Sequence, residues 1–325
     1  MNPSQSKFLI ALALAMVLAA ACGKPSEQPD KAVVGIVNVT PVLEDTVVGL
    51  KTGLAQWGYR ENDNIRYLYE GPLGSMDKVD GAVKRILAEK PDLIVSFTTP
   101  VTLKVKKATQ GTDVPVLFAP SADPVGAGLV KSLKAPEGRF TGIYVGGAGI
   151  KALAWLAKMV PGLHRIYVPF NPDDKAMVLT MKGLKKSADA RKIELVIGEC
   201  HSNADVLTVL KHIPVDVQAV WQLPSPFWGA YLEPFVAACL DHKKPLKTHS
   251  ADWAKAGALM SYGLNAKAMG EQLSHLANKI LKGTSPAVLP VERARYFLSI
   301  NLKTAGLIGL QIPDAVLKQA DEIIR

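Results

Sequence analysis

The chain is 325 residues long, 48% hydrophobic and 21% charged, enough apolar material for two lobes of ordinary domain size, which excludes disorder as the default. Its formal net charge of +9 is a moderate excess, spread without any run of five Lys or Arg. No basic stripe with interleaved aromatics and no zinc-finger spacing is present, so the charge fits a solvated surface near anionic lipid and excludes a nucleic-acid groove.

A short polar start with Lys7 leads into an apolar run from Phe8 to Ala21, too short for a comfortable membrane span and right for an export signal. The run ends in Leu18-Ala19-Ala20-Ala21-Cys22-Gly23, which resembles the lipobox of bacterial lipoproteins, with the leucine one place further from the cysteine than usual. That resemblance implies a signal peptide over residues 1–21 and lipidation of Cys22. A plain secretory signal is the alternative, and either one exports the mature chain. Residues 22–31, with Pro25, Ser26, Gln28 and Pro29, read as a polar tether that lets an anchored domain stand off the membrane. No later apolar run approaches the roughly 18 residues of a membrane helix. Lipidation leaves Cys200 and Cys239, which form no disulfide scaffold, although one bridge between them stays open; no C-x-x-C pair offers a metal or redox site, and no cofactor is expected.

From residue 32 short β-branched runs alternate with longer amphipathic stretches, the pattern of βα units around parallel sheets. The first series reads as strands at Val33 to Val39, Ile65 to Tyr69, Leu93 to Phe97 and Val114 to Phe118, with helices at Leu43 to Trp57, Met76 to Glu89 and Val101 to Thr109. A second series has strands at Arg165 to Phe170 and near Glu194 to Ile197, Ala219 to Leu223 and Leu246 to His249. The halves match residue by residue near their ends. Pro91-Asp92-Leu93-Ile94-Val95, Thr99-Pro100, Val114-Pro115-Val116 and Ser121-Ala122-Asp123 run parallel to Val215-Asp216-Val217-Gln218-Ala219-Val220, Ser225-Pro226, Lys244-Pro245-Leu246 and Ser250-Ala251-Asp252. The same tripeptide follows the fourth strand of each half.

The fold class expected is therefore α/β: two Rossmann-like lobes with parallel sheets, joined by a three-segment hinge. Crossings are expected at Phe140 to Tyr144, near Asp252 to Ser261 and near Leu289 to Tyr296. Lobe one then comprises 32–143 with 253–288, and lobe two 144–252 with 289–325. Open α/β sheets bind ligands outside the carboxyl ends of their strands, so sheets facing one another there would line one mobile cleft.

Candidate ligand contacts follow from the strand ends. Thr98 and Thr99 precede a helix and can offer hydroxyls and free amides to a carboxylate, while Thr99 can equally cap that helix. Asn38 and Thr40 end the first strand, Thr40 again in a capping position. Asp252 is the preferred partner for a ligand ammonium, because a buried charge left unpaired is heavily penalised. Asp123 precedes Pro124 and a glycine-rich turn, which favours a turn-forming role, and Ser121 is the better contact there. Asn171, Ser225 and Tyr262 are the second-lobe and hinge candidates. Phe227 and Trp228 can stack on a flat ligand or belong to the core. Cys200-His201 is the one suggestive catalytic dyad, as for a cleft enzyme of racemase type, and Gly146-Gly147-Ala148-Gly149 lacks the Lys-Ser/Thr of a phosphate loop.

The string Asp123-Pro124-Val125-Gly126-Ala127-Gly128-Leu129-Val130-Lys131-Ser132-Leu133, followed by Gly142, resembles the most recognisable part of the tryptophan/tyrosine-type ABC transporter substrate-binding lipoprotein family, a branch of the type I periplasmic binding proteins. Thr98-Thr99-Pro100, Ser261-Tyr262-Gly263-Leu264-Asn265 and Ser299-Ile300-Asn301-Leu302-Lys303-Thr304-Ala305 add to it. The resemblance implies a non-enzymatic, monomeric protein that binds a small solute, in several members an aromatic amino acid, and delivers it to an ABC permease and its ATPase. A ligand sensor presenting its molecule to a membrane receptor is the alternative. The chain departs from the family pattern at Phe170-Asn171-Pro172-Asp173-Asp174 and at the more apolar Leu223-Pro224-Ser225-Pro226-Phe227-Trp228.

Overall fold

The structure, a computed structural model, describes residues 31–325; the expected leader, Cys22 and the tether up to residue 30 lie outside them. The βα alternation resolves into two sheets. The first holds β1 (Ala32–Val37), β2 (Ile65–Leu68), β3 (Leu93–Phe97), β4 (Val116–Ser121), β5 (Phe140–Tyr144) and β11 (Glu292–Arg293), in the order β11-β5-β4-β3-β1-β2. The second holds β6 (Arg165–Phe170), β7 (Glu194–Glu199), β8 (Ala219–Trp221), β9 (Leu246–Thr248), β10 (Met260–Leu264), β12 (Tyr296–Asn301) and β13 (Glu322–Ile324), in the order β13-β12-β10-β9-β8-β6-β7.

The internal repeat is thus realised in topology, since 2-1-3-4-5 in one sheet is matched by 7-6-8-9-10 in the other. All pairings are parallel except that between β10 and β12, which is antiparallel. Parallel strands covered on both faces should be apolar throughout, and β3 is buried at every position. Three apolar clusters follow, one on each face of the first sheet and one running through the second lobe.

Helix α1 (Glu44–Gln56) follows β1, and α2 (Val79–Ala88) and α3 (Thr99–Ala108) follow β2 and β3. The second lobe carries α4 (Ala148–Met159), α5 (Lys175–Asp189), α6 (Asn203–Lys211), α7 (Leu232–Asp241) and the short α8 (Ala251–Lys255). After β10 the chain returns to the first lobe through α9 (Ala266–Leu281), which crosses α1 backbone to backbone. A Cβ on Gly49 would lie 2.0 Å from the Lys267 carbonyl oxygen, and one on Gly270 2.0 Å from that of Thr46, so both crossing positions admit glycine alone without a shift.

The first crossing falls at 145–147, just after Phe140–Tyr144 where it was expected, because that segment is β5, paired with β4 in the first sheet. The second falls after Leu264, later than the boundary read from sequence, because β10 is held by β9 and β12; residues 253–264 belong to the second lobe. The third falls between β11, paired with β5, and β12, paired with β10, so 289–293 stay with the first lobe. Cys200 and Cys239 are both free and buried. Among the described residues no helix is long and apolar enough to cross a membrane.

Candidate functional site

The carboxyl ends of β8, β9 and β10 open into a cavity of about 840 Å³, beneath the first crossing and beside the second and third. Trp221 and Lys247, paired across β8 and β9, line it, as do Leu223, His249 and Ser250 at the strand ends. Helix α5 contributes Leu179, Gly183 and Ser187, the first crossing contributes residues 145–150, and the hinge strands contribute Tyr262 and Tyr296. The two tyrosine rings stack at 5.5 Å and 17°. Aromatic surface therefore lies where all three connections between the lobes converge.

Lys247 is the unusual group. It occupies the middle of a short strand whose three residues are all buried, and is itself only 4% exposed. Its Nζ lies 4.0 Å from the centroid of the Trp221 ring, and no carboxylate pairs with it among the described residues. Desolvation disfavours the charged form, and burial pulls its pKa down to about 7. His249, two residues on, shares a 2.9 Å hydrogen bond between Nδ1 and Gln222 Oε1. Burial first, then the Lys247 charge, bring its pKa down to about 4, so it is neutral near pH 7 and donates from Nδ1. Gln222 Nε2 is buried with no partner among the described residues.

The sequence-derived candidates fall into different roles. Asn38 is wholly buried and committed: its Nδ2 donates to Glu44 Oε1 at 2.7 Å, and its Oδ1 accepts from the Thr40 amide at 3.1 Å. The Tyr69 hydroxyl donates to the same Glu44 oxygen. Thr40 caps the turn at Pro41–Leu43. Thr99 and Ser121 join across β3 and β4 through hydroxyls 2.9 Å apart, and the Ser121 carbonyl accepts from Val145 in the first crossing. Thr98 has φ +72° and ψ +149°, a conformation nearly confined to glycine, and its hydroxyl has no hydrogen-bond partner among the described residues. Asp123 accepts from the Gly126 amide at 2.8 Å and forms the turn.

In the second lobe Asn171 accepts from the Asp173 amide, and Ser225 caps the turn at Pro226–Tyr231 while donating to Asp174. Burial works against the Asp174 charge, yet the Ser225 hydroxyl and the amides of Met177 and Ala176 hold its pKa below the ordinary value. Asp252, the expected ammonium partner, is exposed and outside the cavity lining. Of the residues named as ligand contacts only Tyr262 lines the cavity. Trp228 belongs to the core, in a ladder with Phe227, Phe235 and Trp253. The Cys200-His201 dyad does not assemble: the thiol is buried, its pKa raised to about 11 by burial and then by Asp205, while the imidazole side chain is largely exposed near Asp173 and Glu199.

Trp221, Lys247, His249 and Tyr296 escaped the strand-end search. The signal was present in Lys244-Pro245-Leu246-Lys247-Thr248-His249, which places a lysine inside a strand that a parallel sheet buries on both faces.

Two parallel-sheet lobes, three crossings and a cavity at the hinge define a two-lobed small-molecule binding protein of the type I periplasmic class. The model of the ABC transporter substrate binding protein family matches residues 31–324, and the chain belongs to that family. It is 24% identical over 252 residues to a tyrosine-binding protein from Clostridioides difficile, covering 77% of this chain and 72% of that protein. A Streptococcus pneumonia ABC domain solved in complex with L-Trp is 26% identical, with TM-score 0.67, covering 91% of this chain and 100% of that one. The ligand-free, open structure of a Clostridium difficile substrate-binding protein with adhesive properties has TM-score 0.77 at 21% identity, over 91% and 99% of the two chains.

Proposed function

We propose that this chain is the extracytoplasmic, lipid-anchored binding component of an ABC importer, which captures a ring-bearing small molecule at its hinge cavity and delivers it to a permease. The observation that carries this reading is the aromatic lining of that cavity by Trp221, Tyr262 and Tyr296. A ligand ring of 150 to 250 Å² buried there gives roughly 4 to 6 kcal/mol at about 25 cal/mol/Å², before the costs of ordering. One charge-assisted contact added to this brings micromolar affinity, about −8 kcal/mol, within reach. The names of the relatives, one tyrosine-binding and one solved with L-Trp, support an aromatic solute.

In the first lobe the strained Thr98, its hydroxyl unpaired among the described residues, and the Thr99–Ser121 pair lie at carboxyl strand ends, the edge that would close over a ligand held by the second lobe. The test is a thermal-shift and tryptophan-fluorescence screen of the mature chain against aromatic and aliphatic small molecules of every charge type. Ring-bearing solutes should raise the melting temperature by mass action, and Trp221→Leu should abolish most of that rise. Stabilisation by aliphatic solutes alone, or by none, refutes the reading.

A further inference from the structure

The aromatic lining leaves the ligand's charge open, and the cavity's own charges bear on it. Its lining includes Lys186 and Arg191 from the α5 region, Lys247 and His249 from β9, and the hydroxyls of Ser187, Ser250, Tyr262 and Tyr296, with no aspartate or glutamate. Asp189 and Asp252, next to lining residues in the chain, are exposed and outside the lining, and other carboxylates on neighbouring elements are engaged. Asp321, whose charge reaches Tyr262, accepts from Arg295 and the Leu298 amide. Asp174 is held by Ser225, and Glu44 of the first lobe by Asn38 and Tyr69.

The internal repeat provides a control for Lys247. Aligning Val114-Pro115-Val116 with Lys244-Pro245-Leu246 makes Leu117 the first-lobe counterpart of Lys247. Leu117 pairs with Val95 across β3 and β4, as Lys247 pairs with Trp221 across β8 and β9. Val95 and Leu117 are wholly buried, so one copy of the fold meets this position with an apolar pair. The other copy places a cation there without a counter-charge, at a cost in desolvation that folding does not require.

We propose that the cavity takes a ring-bearing monocarboxylate without an ammonium group, such as an aryl-alkanoic, aryl-2-oxo or aryl-2-hydroxy acid, its carboxylate on Lys247 and its ring against Trp221 and the tyrosine pair. The proposal rests on the aromatic-solute reading above and fixes the charge class of that solute. A carboxylate supplies the counter-ion that Lys247 lacks, in a charge-assisted hydrogen bond screened from water. The ammonium of a zwitterion would meet basic groups, hydroxyls and aromatic faces but no carboxylate in the lining, so its charge would go without a counter-ion.

The test is isothermal titration of the whole mature chain with 3-phenylpropionate, phenylpyruvate, phenyllactate and indole-3-propionate, set against phenylalanine, tyrosine, tryptophan and phenethylamine. The acids should bind more than tenfold tighter than the amino acids with the same ring. Lys247→Met, which removes a charge and keeps an unbranched side chain, should weaken the acids more than tenfold and lower any binding of the amino acids, whose carboxylate meets the same group. Titrations repeated near pH 8 in buffers of different ionisation enthalpy should show uptake of close to one proton, because the bound carboxylate restores the charge on Lys247. Amino acids binding as tightly as the acids, with Lys247→Met neutral to both, would overturn the charge assignment and leave the aromatic reading standing. Failure of every ring-bearing probe to bind would overturn both.

Discussion

Lys247→Met in the ligand-free protein tests whether an uncompensated cation is built into the fold. In the unfolded chain the lysine has its ordinary pKa of 10.5, and in the folded protein burial brings it to about 7. Below pH 7 both states carry the proton, and folding bears the whole cost of burying the charge. Between the two values the unfolded state binds more protons than the folded one, so stability rises with pH, by about 1.4 kcal/mol per unit where the difference is a full proton.

From about pH 7 to about pH 9 this one group should add roughly 2 kcal/mol to the stability of the wild type. Methionine removes the charge at every pH, and its stem occupies the channel beside Trp221. The substitution should therefore stabilise the protein near pH 7 by about 2 to 4 kcal/mol, less the cation–π attraction to Trp221, which returns about 0.5 to 2 kcal/mol. Its advantage should shrink by about 2 kcal/mol towards pH 9. Urea unfolding of both proteins at the two pH values measures this directly, and the other titrating groups largely cancel in the comparison. Two stability curves that run parallel in pH, or a variant less stable than wild type near pH 7, would refute the argument that Lys247 is buried without a partner.

Gly270→Ala should cost about 2 to 3 kcal/mol in urea unfolding, since the added methyl meets the Thr46 carbonyl and the Leu50 amide of α1, which are backbone atoms that cannot swing aside. Thr98→Gly should stabilise the ligand-free protein by about 1 kcal/mol by relieving the positive φ, and a loss of stability in the same assay would show that the threonine side chain is packed to advantage. Cys200 and Cys239 should resist a thiol reagent in the native protein and react only at the unfolding rate, because burial raises both thiol pKa values; prompt labelling of either would contradict its placement. In cells, Cys22→Ser should move the protein from the membrane to the soluble fraction, and retention on the membrane would rule out a lipid anchor at that residue.

The parts of the fold legible in the sequence are those set by local periodicity. Leu93–Phe97 and Arg165–Phe170 match the strands read from β-branched runs, and the repeated Ser-Ala-Asp tripeptide marks the ends of equivalent strands, β4 and β9. The second crossing was misplaced because the partners of Met260–Leu264 are chosen at long range: β12, which pairs with it antiparallel, begins more than thirty residues later, and no local pattern announces that choice. Hydroxyl and acidic residues at strand ends are legible as a class, but the ends of parallel strands are also helix starts, where the same side chains satisfy orphan amides. Thr40, Asp123 and Ser225 went to that use.

The cavity was missed for the opposite reason. Its distinguishing group, Lys247, lies inside β9 one residue before the strand's end, where a lysine close to Lys243 and Lys244 reads as one more solvated charge. The repeat had the means to separate it from its neighbours. Lys243 and Lys244 fall in the turn before β9, where a charge reaches water in either lobe, whereas Lys247 falls on the strand position that the first lobe fills with the wholly buried Leu117. A duplicated fold states its packing requirements twice. A polar residue in one copy at a position the other copy keeps apolar therefore points to function, because the shared architecture has already shown that it can do without the charge.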